Sequence, residues 1–184
     1  MYFYEYPFFS YNVYGYRNDD MNVPVKKAVA YIVGGPLAPN IRGTAVFTQV
    51  PGGTEVSVEV NGLPPYRPAM DGNPQIGPHG FHIHQNGTCA VGNSEEPFNA
   101  AGAHWNPTNQ PHGNHAGDFP VLFSNNGYSR MTFFTNKFNV AQIVGKSLII
   151  HESPDDYRTQ PSGASGRRLA CGVIKAVMWY VQFI

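Results

Sequence analysis

The chain has 184 residues, and its 12 lysines and arginines balance 12 aspartates and glutamates. A formal charge of zero gives no electrostatic reason to bind nucleic acid or an anionic membrane, and neither partner is expected. The length suits one domain able to bury its own core, and no apolar run is long enough to cross a bilayer.

Residues 1–16 hold nine of the 25 aromatic residues, with Tyr2, Tyr4, Tyr6 and Phe8 in alternation. This biased stretch is expected to be an appendage outside the functional unit, an added strand or a sticky arm being the alternatives. It lacks the basic patch, aliphatic core and small-residue cleavage site of a signal peptide, so export is not expected and a cytoplasmic location is. Residues 18–24 read as a polar linker. The expected organisation is an extension at 1–24, a domain at 25–176 and a short apolar tail at 177–184.

From residue 25 onward short strands alternate with turn signals, and no helical period appears. Runs at 25–33 and 41–49 are rich in β-formers and are separated by Gly34-Gly35-Pro36. Residues 54–61 alternate Val56, Val58 and Val60 with Glu55, Ser57 and Glu59, which predicts a strand with one dry face. Residues 63–78 carry five prolines and must be a long loop. Next comes Gly80-Phe81-His82-Ile83-His84. On a strand His82 and His84 leave one face while Phe81 and Ile83 take the other, so two imidazoles are offered to one point.

Residues 119–124 and 128–135 flank Asn125-Asn126-Gly127, a hairpin signal, because Asn-Gly accepts the positive φ values of tight hairpin turns. Runs at 146–151 and 169–180 complete a set of eight strands. The expected class is all-β, an eight-stranded Greek-key flattened barrel or immunoglobulin-like sandwich, with function carried on long loops.

All seven histidines fall between positions 79 and 151, which is not how surface histidines scatter. Besides the strand pair there is a second cluster, His104, His112, His115 and Asp118, in a stretch rich in Pro, Gly and Asn. Such a stretch reads as a loop able to gather three imidazoles and a carboxylate, a set suited to tetrahedral zinc. His151 ends the run Leu148-Ile149-Ile150 at the mouth of another strand. His79 is read as structural, a hydrogen-bonded ring under the histidine strand. Cys89 and Cys171 lack the spacing of a zinc ribbon; one disulfide and two buried thiols are both open.

Five segments stand out in order: Gly80-Phe81-His82-Ile83-His84, Gly102-Ala103-His104-Trp105-Asn106-Pro107, His115-Ala116-Gly117-Asp118, Leu148-Ile149-Ile150-His151-Glu152 and Arg168-Leu169-Ala170-Cys171-Gly172-Val173-Ile174. In that order they resemble the signature segments of the copper/zinc superoxide dismutase family. The likeness spans about residues 25–174.

That resemblance implies an enzyme that disproportionates superoxide to oxygen and hydrogen peroxide by copper redox cycling, with one copper and one zinc per subunit. It implies His82, His84, His104 and His151 as copper ligands, four imidazoles of the kind copper(II) favours in a tetragonal site. It implies His104, His112, His115 and Asp118 as zinc ligands, with His104 shared by both ions and carrying a proton. Asp155 is expected to accept hydrogen bonds from His82 and His112, fixing both rings. Arg168, beside Arg167, is expected to hold the superoxide anion next to copper. Cys89 and Cys171 are expected to form a disulfide that persists even in a reducing cell, against the usual cytosolic rule.

The short loop from His84 to Cys89 departs from eukaryotic relatives, where it helps build the dimer contact; a homodimer is left open, and no motif identifies a copper chaperone. The alternative function is a non-enzymatic zinc- or copper-binding protein with the same fold.

Overall fold

The computed structural model describes residues 24–177; the aromatic extension and the residues after 177 lie outside the described part of the chain. Seven strands are described: β1 Lys27–Gly34, β2 Arg42–Val50, β3 Gly53–Asn61, β4 Phe81–His84, β5 Ser129–Thr135, β6 Ser147–His151 and β7 Arg168–Ala176. They form one antiparallel sheet in the order β4-β6-β7-β1-β2-β3-β5. Val56, Val58 and Val60 on one wing bury into the same core as Phe81, Leu148 and Ile150 on the other, so the sheet curls on itself. The all-β class holds.

The β3 alternation works as its residues dictate: the three valines are buried, while Glu55 and Glu59 face solvent. In β4 all four side chains are buried. Phe81 and Ile83 join the core, and the imidazole face is covered by the segment after β4. There Ile83 N–H donates to Gly117 O at 2.9 Å, Trp105 N–H to Ile83 O at 2.8 Å, and Phe119 N–H to Phe81 O at 3.3 Å.

The eighth strand expected at 119–124 is absent: this run makes only a bridge between His79 and Leu122. Its backbone is satisfied by a side chain instead. The Tyr157 hydroxyl accepts from Val121 N–H at 3.0 Å and donates to Phe119 O at 3.1 Å, while Phe119 and Leu122 plug the core. The Asn126-Gly127 turn does form, with φ of 53° and 84° and paired bonds between Asn125 and Tyr128. The last strand is described as far as Ala176, and residues 178–180 of the run expected to reach 180 lie outside the described residues. One short helix, α1 Val140–Ile143, escaped the periodicity reading because a single turn has no period. It is held by a capping box, Asn139 with Gln142. The 63–78 loop contains a small hairpin of its own, with Arg67 paired to Ile76 and Met70 to Asn73 around Asp71-Gly72.

Candidate metal centre

Two strands and one loop converge on a histidine cluster. β4 presents His82 and His84, β6 ends at His151 beside them, and the 104–118 segment folds back over that face. His104 lies against all of these: its ring centroid is 4.0 Å from His82, 4.9 Å from His84 and 5.3 Å from His112. Two groups of four result, His82, His84, His104 and His151, and His104, His112, His115 and Asp118. Within each, one potential ligand atom per residue lies within 4.8 Å of the others, and His104 belongs to both.

On four of the six rings a partner outside the cluster fixes which nitrogen is free. Carbonyls and carboxylates can only accept, so on these rings the nitrogen facing the outer partner carries the proton and the other keeps its lone pair. His84 Nδ1–H donates to Gly102 O at 2.9 Å and His151 Nδ1–H to Gly166 O at 3.2 Å. Asp155 takes both His82 Nε2–H and His112 Nε2–H at 2.8 Å, and its Oδ1 also accepts from Tyr157 N–H at 2.7 Å. What remains inside is a set of inward lone pairs. His84 Nε2 and His151 Nε2 face each other at 3.3 Å with neither holding a proton to donate.

His82 Nδ1, His104 Nε2, His112 Nδ1 and His115 Nδ1 are buried without a hydrogen-bond partner. Orphaned buried nitrogens are costly unless something accepts their lone pairs, and a metal cation at each group does so. The residues therefore fit two ions sharing one imidazole.

The loop that completes the second group is shaped by its own polar side chains. Asn106 closes a turn through Oδ1 and Nδ2 on the backbone of Gln110, at 2.9 and 2.8 Å. Asp118 Oδ2 accepts from Gly113 N–H and His115 N–H at 2.9 and 3.0 Å, leaving Oδ1 3.0 Å from His104 Nδ1. The 155–163 segment straps this loop down. Gln160 pairs like a strand with His112, its Oε1 accepting from His112 N–H at 2.8 Å and its Nε2 donating to His112 O at 3.3 Å. Gly163, at φ +69°, admits no side chain, because a Cβ there would collide with Asp155 Oδ1 and His112 Nε2. Gln160 and Gly163 carried no signal legible in the sequence alone.

His79 is buried, with Nδ1 2.9 Å from His151 O and Nε2 3.3 Å from Pro64 O, outside both groups, a structural ring as expected. Arg168 is half-buried. Its Nη1–H donates to Phe98 O at 2.6 Å and its Nη2–H to Gly102 O at 2.7 Å, the carbonyl that also receives His84. Cys89 and Cys171 form a disulfide with Cα atoms 5.6 Å apart. It packs with Phe98, Ala101 and Ile149, fastening the 89–101 segment to the sheet.

Electrostatics favour neutral rings. Burial drives His82 and His84 well below the ordinary imidazole range, with neighbouring imidazoles adding to it. His151 is lowered to about 3 by burial and then by His104. Burial pushes Asp118 the other way, but the hydrogen bond and charge of His104, with His112 and His115, outweigh it and lower its carboxyl.

A pH dependence follows for the metal-free protein. The three depressed imidazoles take up protons in the unfolded chain first, so the stability they contribute is present above about 6.5 and declines as pH falls below it. Asp118 acts in a lower window, its contribution being present above the unfolded value of 3.8 and lost as pH falls through the folded one. The urea midpoint of metal-free protein should therefore drop between about pH 7.5 and 5.5, well above the carboxylate range. A midpoint flat over that interval would remove the histidines from the account.

A curled antiparallel sheet carrying two fused cation sites joined by one imidazole defines a dinuclear metalloprotein. Residues 41–174 match the model of the copper/zinc superoxide dismutase family. A copper/zinc superoxide dismutase of Deinococcus radiodurans is 38% identical over 154 residues, covering 74% of this chain and 79% of that protein. That of Brucella abortus is 34% identical, covering 72% and 78%, and that of Legionella pneumophila 33%, covering 85% and 88%. The chain belongs to the copper/zinc superoxide dismutase family.

Proposed function

We infer that this protein is a superoxide dismutase, turning two superoxide anions and two protons into oxygen and hydrogen peroxide. The observation that carries the reading is the shared His104: one ring lies in both ligand groups, so a redox ion and a fixed ion can be held on its two sides. In this reading His82, His84, His104 and His151 hold copper, while His104, His112, His115 and Asp118 hold zinc. Copper, when bound, would supply the one-electron acceptor and donor that superoxide needs in turn, and zinc would supply a fixed positive charge.

The chain's own groups do the rest. His104 Nε2 is buried and lacks a protein partner, so it is the atom able to hold a proton and return it to peroxide, while Nδ1 faces Asp118 Oδ1. Asp155 fixes one ring of each group with one carboxylate, so both sites depend on a single anchor. Arg168 is locked by two carbonyls beside His84 and offers a positioned guanidinium to an arriving anion.

Protein loaded with copper and zinc should dismutate superoxide, and protein loaded with zinc alone should not. Bound copper without activity would leave a metal-binding protein of the same fold, the reading from another class.

Asp155→Asn should lower affinity for both metals by about 10- to 100-fold, measured by chelator competition, since it removes the acceptor for two ring protons. Dissociation constants equal to the parent's would reduce Asp155 to a turn residue. Arg168→Ala should slow the enzyme about threefold to a hundredfold, the range for one guanidinium about 6 Å from the anion at an effective dielectric of about 20 to 80. Salt should slow the variant proportionally less than the parent. Equal salt slopes with little loss of rate would take the anion-docking role from Arg168.

A further inference from the structure

Arg167 and Arg168 are adjacent, the first in a bend and the second opening β7, and their guanidinium groups go to different partners. Arg168 is held by the carbonyls of Phe98 and Gly102. Arg167 turns instead to Glu152: Nε–H donates to Oε2 at 2.9 Å and Nη2–H to Oε1 at 2.7 Å, a two-pronged ion pair. The Glu152 side chain is 8% exposed against 44% for Arg167, so the carboxylate is the inner member. The backbones are tied as well, Glu152 N–H donating to Arg167 O at 2.8 Å. The pair sits just past the irregularity between Ile150 and His151, where His151 lies opposite Arg168 in the ladder. Glu152 thus follows a ligand imidazole directly, and Arg167 directly precedes the guanidinium assigned to the anion.

We propose that the Glu152–Arg167 pair is a charge lock on the anion approach: Glu152 cancels Arg167, so that an anion nearing the histidine cluster meets one effective cation, Arg168. An unpaired Arg167, being partly exposed, would offer a second anchor that non-reacting anions such as phosphate could occupy. An unpaired Glu152 would leave a bare carboxylate one residue along the chain from His151 and weaken the pull on superoxide. The proposal deepens the dismutase reading and rests on it.

The test uses full-length protein loaded with copper and zinc, as the parent, Glu152→Gln, Arg167→Gln and the double variant. In Glu152→Gln, azide should bind the copper site about two- to tenfold more tightly, phosphate should inhibit at correspondingly lower concentration, and the superoxide rate should fall more steeply with salt. Phenylglyoxal labelling with peptide mass mapping should find Arg167 more reactive in that variant. Arg167→Gln should shift azide affinity and salt slope the opposite way. The double variant, again neutral, should return to within about twofold of the parent in both. A double variant as impaired as the worse single one would overturn the lock and leave a structural staple for His151. So would single variants matching the parent in azide affinity and salt slope. Absence of dismutation in the loaded parent would sink the enzyme reading instead, and the azide and labelling measurements would still decide the lock.

Discussion

Replacing His104 by alanine will abolish dismutation and weaken both metal sites at once, whereas His84→Ala will cost copper and leave zinc in place. The asymmetry comes from where the rings sit. His104 has Nδ1 3.0 Å from Asp118 Oδ1 on one side and an unpartnered Nε2 on the other, so its loss removes a ligand from each group. His84 belongs to the first group alone, its Nε2 facing His151 Nε2. The anchor at Asp155 does not compensate, because it holds His82 and His112 and not His104. Elemental analysis after loading, copper spectroscopy and a direct superoxide decay assay would separate the two variants. Full activity in His104→Ala, or a parent that binds no zinc, would end the shared-imidazole reading.

The second large effect concerns the disulfide. Cys89 and Cys171 are 82 residues apart, and closing a loop of that length restricts the unfolded chain by roughly 4.5 kcal/mol on the chain-entropy estimate, within the usual range of about 2 to 5. A double Cys89→Ala, Cys171→Ala variant should lose a few kcal/mol of that order in urea unfolding. It should also lose anion affinity, because the segment the disulfide fastens to the sheet carries the Phe98 carbonyl and leads directly to that of Gly102, the two that hold Arg168. The variant with the parent's urea midpoint would refute the first claim. Two alkylated cysteines on native, unreduced parent protein would refute the bond itself.

The sequence exposed the two candidate ligand groups that the structure brings together more fully than it exposed the fold. His82 and His84 were legible because alternation on a strand is a local rule. Their free nitrogens were not, because the groups that fix them are backbone carbonyls such as Gly102, or lie as far along the chain as Asp155. The strand expected at 119–124 failed for a similar reason: its apolar spacing is real, but Tyr157, arriving from a distant loop, takes the backbone bonds that a neighbouring strand would have made. Arg167 and Arg168 are equal as letters. Only the fold distinguishes them, by giving one to Glu152 and the other to two carbonyls.

The two ligand groups are unequally rooted. His82, His84 and His151 stand on β4 and β6, which pair with each other in the sheet, whereas His112, His115 and Asp118 sit on a loop held chiefly by side chains. Local opening costs least where backbone groups lack a ladder. Amide hydrogens of β6, which has β4 on one side and β7 on the other, will therefore exchange slowly with deuterium even before any metal is added. Those of residues 106–118 will exchange fast until zinc arrives, so the time course of their protection records the order in which the two sites are assembled.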